Sequence, residues 1–219
     1  MPLDGQQLNC RGWAGLRWDG GEVAILASGP SMTAEQADAV RSWRDRGTDR
    51  FAIAINTTFK LAPWADVIYA CDGLWWEGRE RSDVPRYVDR ARETGAQLWT
   101  QDVDAAKKYG LNHIKSQRAR GISRQVGVIN QGDNGGFQAV GMAYQSGVAR
   151  AWLLGFDMRG GHWHGPHPGM LQKNCRFDLY LDHFRHMAND LPIGFSVVNC
   201  TPGGALECFP RRDWREVFA

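Results

Sequence analysis

"EVAILASGPSM", residues 22–32, decides the fold. Its first half is a continuous apolar run rather than an alternating one, the pattern of a strand covered on both faces. The run stops at Ser28-Gly29-Pro30-Ser31, and "TAEQADAVRSWRDRG" follows with Ala34, Ala37, Val40 and Trp43 at helical spacing. Thr33 is placed as an N-cap and Gly47 as the stop. A buried strand, a tight turn and an amphipathic helix open a parallel α/β sheet. The turn either reverses the backbone or also holds a ligand.

The rest of the chain repeats the alternation. "RFAIAIN" (50–56), "DVIYACD" (66–72), "QLWTQD" (97–102), "ARAWLLGFD" (149–157) and "FSVVNC" (195–200) read as strands. Helices are expected near 84–94, 137–147 and 174–190, and the tail "FPRRDWREVFA" as a short packed helix. Strand and helix in turn predict an α/β fold: a single Rossmann-like domain over residues 1–219, mostly parallel, with helices on both faces and a His-rich loop at 160–169.

Composition bounds the function. The 219 residues carry 43% hydrophobic and 23% charged side chains with a net charge of +2, so no basic field argues for nucleic acid. No window approaches a membrane span, and the N-terminus shows no basic and then apolar leader, so a soluble cytoplasmic protein is expected. Five cysteines form no C-x-x-C pair and read as reduced thiols.

In a parallel sheet, ligands sit beyond the carboxyl ends of the strands. Those ends read Ser28-Gly29-Pro30-Ser31, Asn56-Thr57-Thr58, Asp72-Gly73, Gly155-Phe156-Asp157 and Asn199-Cys200-Thr201-Pro202-Gly203-Gly204. Each alone is ordinary turn chemistry; five on one edge predict a ligand cleft. At the first turn Gly29 allows close backbone approach, Ser31 offers a hydroxyl, and the helix from Thr33 would aim its free N–H groups at an anion. The turn is neither G-x-G-x-x-G nor a Walker loop, so NAD and ATP are not inferred. Asp72 is either a turn residue or a ligand for a divalent cation bridging phosphates. Trp75 and Trp76 either stack on a sugar or base ring or plug the core. "KSQRARGISRQ" (115–125) is either a mobile lid or a solvated loop, and His183 and His186 are structural or exposed.

In order and spacing, "ILASGPSM", "AIAIN", "GGFQAVGMAYQSGVARAWLLGFD", a histidine-bearing loop and "NCTPGGAL" resemble one superfamily. It holds the small bacterial sialyltransferases and the related domain of motility accessory factors, which glycosylate flagellin. The resemblance covers roughly residues 22 to 206, and so compact a chain also resembles hypothetical bacteriophage proteins. It implies that Gly29, Pro30 and Ser31 line a nucleotide's phosphate region and that Asn56 holds the nucleotide or sugar. Gly135 and Gly136 stand where the family has Ser-Gly, with Asn134 or Asp133 as substitutes for the hydroxyl. Arg159 stands at the first of two family tyrosines that hold the departing phosphate, and the second position has no tyrosine.

"GGHWHGPHPG" (160–169) places His162, His164 and His167 within a short loop. Histidine suits a general base because its pKa lies near neutrality. The resemblance favours His164 or His167 over His162 for that role. A metal site completed by Asp157 and a chemically silent loop remain alternatives. The expected function is a glycosyltransferase passing a sugar from a nucleotide-sugar donor to an acceptor hydroxyl on a glycan, protein or modified DNA base. No cofactor is required beyond an optional Mg²⁺ or Mn²⁺. The resemblance leaves two other classes open: a pyrophosphokinase acting on ATP and a pterin-like alcohol, and a non-catalytic nucleotide- or sugar-binding module.

Overall fold

The computed structural model describes residues 15–166 and 175–219. In chain order its strands are β1 (Glu22–Leu26), β2 (Arg50–Ile55), β3 (Val67–Tyr69), β4 (Gln97–Thr100), β5 (Asn112–His113), β6 (Lys115–Gln117), β7 (Val128–Asn130), β8 (Arg150–Leu154) and β9 (Ser196–Asn199). The helices are α1 (Ala34–Asp45), α2 (Gly73–Glu77), α3 (Tyr87–Arg92), α4 (Val103–Tyr109), α5 (Gly135–Gln145), α6 (Phe177–Asn189) and α7 (Trp214–Phe218).

Seven strands form one sheet in the order β5-β4-β3-β2-β1-β8-β9, and every neighbouring pair is parallel. The continuous apolar run of β1 follows from this. Val23 and Ile25 enter one core while Ala24 and Leu26 enter the other, and all four are fully buried. Helices α5 and α6 cover the first core; α1, α2, α3 and α7 cover the second. From β1 the chain winds outward to β5, then crosses back to place β8 on the other side of β1. Right-handed crossovers in opposite directions put α1 and α5 on opposite faces.

Local chemistry explains where helices begin. Thr33 and Gln36 form a reciprocal capping box at α1, with Gln36 N–H donating to Thr33 Oγ1 at 3.2 Å. Asp102 caps α4, which ends at Gly110 in the left-handed region. That seven-residue helix is too short to give a clear periodicity, and the sequence reading runs past it.

The two tryptophans after β3 belong to the core. Trp75 and Trp76 are 2% and 0% exposed; Trp75 stacks on Tyr87 at 5.0 Å and donates to Thr57 Oγ1. Of the two readings the sequence left open, the core plug is the one the structure has. The basic stretch at 115–125 is not a free lid either. Ile122 N–H and Arg124 both donate to the Asp190 carboxylate, and Asn130 Nδ2 donates to the carbonyls of Arg120 and Gly121. Among the described residues no helix is long and apolar enough to cross a membrane.

Candidate functional site

In a doubly wound sheet the loops after two adjacent strands splay apart where the winding reverses, and that gap is the natural ligand crevice. Here it lies between the carboxyl ends of β1 and β8. An open cleft occupies that place. Ser28 and Gly29 line it after β1, Asn56 after β2, and Gly155 and Phe156 after β8. Asn134, Gly135 and Gly136 enter from α5, Arg159 and His162 from the loop after β8, and Phe177 and Tyr180 from α6.

The anion-attracting element is the start of α5. Asn134 Oδ1 accepts from Phe137 N–H at 3.0 Å, which closes one of the free donors at the helix start. The N–H groups of Gly135 and Gly136 have no acceptor among the described residues, and both glycines line the cleft. A Cβ at Gly136 would lie 2.7 Å from the Phe156 ring, whereas one at Gly135 meets nothing closer than 3.5 Å. Gly136 is therefore required by packing, and Gly135 leaves its backbone open to a ligand.

The first turn has a different part from the one the sequence suggests. Pro30 and Ser31 do not line the cleft. Ser31 donates through its N–H (3.3 Å) and its Oγ (2.9 Å) to Asp157 Oδ2, so serine and carboxylate satisfy each other and clamp the ends of β1 and β8 together. Gly29 donates to the Gly155 carbonyl at 2.9 Å, inside the same clamp. Asp157 is 4% exposed, and burial raises its pKa against the lowering effect of the Ser31 bonds and Arg159.

A carboxyl held above its unfolded pKa binds more protons in the folded state, so its contribution to stability is full at low pH. That contribution falls as pH climbs through the folded value and is flat beyond it. Asp157→Asn keeps an acceptor for Ser31 and removes the ionisation. Its melting midpoint should therefore gain on the wild type as pH rises through the acid range, in a denaturation series from pH 3 to 8. Parallel curves for the two proteins would contradict the assignment.

Non-glycine residues rarely adopt positive φ, at a cost on the order of 1 kcal/mol each. Among the described residues Asn56, Asp133 and Met158 do so, each at φ 50°. Asn56 and Met158 line the cleft, and Asp133 directly precedes the α5 cap. Strain gathered at one place points to a site that needs it.

Of the three loop histidines, His162 lines the cleft; His164 stacks on it at 5.1 Å with the rings 11° apart and does not line it. This reverses the expected preference for His164, and His167 lies outside the described residues. Arg159 is exposed and makes no hydrogen bond or ion pair among the described residues. Asp72 is the N-cap of α2, accepting from Leu74 N–H at 3.1 Å, and does not line the cleft. No three His, Cys, Asp or Glu side chains among the described residues come together as a metal site. Sequence reasoning named Phe156 only within a strand-end motif and missed Tyr180. The strand-end rule reaches the first; only the fold brings the second across from α6.

Fold and cleft together define a doubly wound α/β protein with a ligand crevice at its switch point. No protein-family model and no curated protein matches the sequence. Among solved structures the chain is similar to the Maf glycosyltransferase from Magnetospirillum magneticum AMB-1, with a TM-score of 0.61 and 13% identity over 92% of this chain. The chain spans 35% of that protein's length. The likeness is one of fold.

Proposed function

We propose that this chain is a glycosyltransferase that takes a sugar from a nucleotide-activated donor and passes it to an acceptor hydroxyl. The observation that carries the reading is the composition of the switch-point cleft. Helix-start amides with no acceptor among the described residues, an exposed arginine and a histidine share one crevice. The fold likeness to a protein described as a glycosyltransferase supports it.

In this reading the donor's phosphates lie at the Gly135 and Gly136 amides, where the helix dipole favours negative charge. Asn56 and the Asn134 side-chain amide offer hydrogen bonds to ribose or sugar. His162 takes the proton from the acceptor hydroxyl as the new C–O bond forms at the sugar. The bond from sugar to phosphate oxygen breaks, and its electron pair leaves with the nucleotide. Arg159 and the Tyr180 hydroxyl receive that charge. One base and one leaving group suit direct displacement with inversion.

The test is a thermal-shift and calorimetric screen against CMP, UDP and GDP compounds and their sugars, followed by donor-turnover assays. A ligand at 100 times its Kd stabilises the folded state by about 2.7 kcal/mol. A rise in midpoint with one nucleotide class, lost on substitution of Arg159 or Asn56, supports the reading; no shift with any of them sinks it. No carboxylate is among the described lining residues, so charge neutralisation falls to Arg159 and α5. Affinity should therefore be the same in EDTA as in Mg²⁺ or Mn²⁺. Binding of ATP alone, and only with Mg²⁺, would favour pyrophosphate transfer.

A further inference from the structure

The loop after β8 carries its histidine beside a tryptophan, and the two are held by one carbonyl. Trp163 N–H donates to the Ser28 carbonyl at 3.2 Å, and His162 Nδ1 lies 3.2 Å from the same oxygen. A carbonyl oxygen can only accept, so the imidazole nitrogen beside it carries the proton. In the neutral ring the lone pair then resides on Nε2, the arrangement a base needs in order to take a proton. The orienting group is a backbone carbonyl just beyond β1, an interior strand of the sheet.

Trp163 is anchored a second time. Its indole Nε1 donates to Thr58 Oγ1 at 3.3 Å, Thr58 Oγ1 lies 2.9 Å from Ser28 Oγ, and Ser28 Oγ donates to the Ile55 carbonyl at 3.3 Å. The two ends fix every direction in this chain, because an indole N–H can only donate and a carbonyl can only accept. Trp163 therefore donates to Thr58, Thr58 donates to Ser28, and Ser28 donates to Ile55. Thr58 is fully buried and Ser28 is 8% exposed, so a hydroxyl left without its partner has no water to turn to. The rest of the indole packs on the core cluster beneath α1 and α3. The loop is thus fastened to the ends of both β1 and β2 through one side chain.

We infer that Trp163 is a positioning residue: through Thr58 and Ser28 it docks the histidine loop so that the Ser28 carbonyl fixes the Nδ1-protonated tautomer of His162. The use of that tautomer in proton transfer rests on the glycosyltransferase reading; the tautomer itself does not. Trp163 does not itself line the cleft; it bonds to Ser28, which does. Its effect reaches the chemistry only through the imidazole.

The experiment is a long-range proton–nitrogen correlation spectrum of the full chain labelled at histidine imidazoles, recorded at alkaline pH. The His162 signal is identified by its loss in His162→Gln. The wild type should show a protonated Nδ1 and a lone pair on Nε2. Trp163→Phe keeps an aromatic plug but loses the indole donor, and Thr58→Val keeps shape but loses the hydroxyl. Both should shift His162 towards a mixture of tautomers and leave the signals of His113, His183 and His186, which lie outside the loop, in place. Thr58→Ser should restore the wild-type pattern. Where a donor has been found, Trp163→Phe should lower kcat about tenfold, part of the 10²–10⁴ a general base supplies, with its KM unchanged.

A wild-type His162 protonated on Nε2 overturns the proposal. So does an unchanged tautomer in both Trp163→Phe and Thr58→Val. If Trp163→Phe does not fold, the Thr58→Val and Thr58→Ser pair decides alone. The expected tautomer in a protein that turns over no donor would sink the transferase reading and leave this inference standing.

Discussion

Arg159→Ala should weaken nucleotide binding by about 10- to 100-fold, the range expected when a charge-assisted hydrogen bond to phosphate, worth roughly 1.5–3 kcal/mol, is lost. The melting midpoint without ligand should stay within about 1 °C of the wild type. Surface substitutions with no special contact change stability by less than about 0.5 kcal/mol. That separation is available because Arg159 is exposed and makes no hydrogen bond or salt bridge among the described residues, yet lines the cleft. Its guanidinium lies beside Gly203, where an added Cβ would sit 3.4 Å from Nη2. Arg159→Lys should recover part of the affinity, since a point charge replaces a planar fork without matching its two parallel donors. Calorimetry with the nucleotide found in the thermal screen reads the affinity, and a ligand-free melt reads the stability. Equal affinity in Arg159→Ala and the wild type would remove arginine from the phosphate site and leave the α5 amides as its positive element among the described residues.

The sequence reading located the cleft by a rule about strand ends, and that rule held where the backbone alone decides. Gly29 and Asn56, which line the cleft, follow strands on one edge of the parallel sheet, whereas Asn134, Gly135, Gly136 and Arg159 came from the resemblance and not from that rule. It failed where two polar side chains had a choice between a ligand and each other. Ser31 and Asp157 stand 126 residues apart and nothing in either motif says that they meet, yet they bond directly and do not line the cleft. The same holds for the helix that presents its amides. Both α1 and α5 begin just after a strand-end motif, and only the crossover to β8 shows that α5 opens into the crevice. The histidine preference inverted for a related reason. Trp163, one of ten tryptophans, drew no reading from the sequence, but it is anchored twice beside His162, the loop histidine that lines the cleft.

The Gly29→Ala variant should lose about 3 kcal/mol or more, the upper range for forcing a methyl into a filled interior. For a chain of this size that is a fall of roughly 6–12 °C in melting midpoint. An added Cβ would sit 2.0 Å from Asp157 Oδ2 and 2.3 Å from the Gly155 carbonyl oxygen. Neither can retreat cheaply: Asp157 is held by both donors of Ser31, and the Gly155 carbonyl accepts the hydrogen bond of Gly29 itself. Gly135→Ala is the matched contrast. Its Cβ would lie 3.5 Å from Ile55 and 3.7 Å from the Cys71 sulfur, ordinary contact distances, and alanine is the better helix former. Its melting midpoint should equal or exceed the wild type, while nucleotide affinity falls as the methyl covers the floor of the cleft. Melting curves and calorimetry on the two variants therefore separate two reasons for a glycine at a strand–helix junction. At Gly29 the backbone of β8 excludes a side chain; at Gly135 the protein has room for one, and it is the ligand that requires its absence. A destabilised Gly135→Ala, or a Gly29→Ala as stable as the wild type, would mean that the clamp and the cleft floor have been assigned the wrong way round.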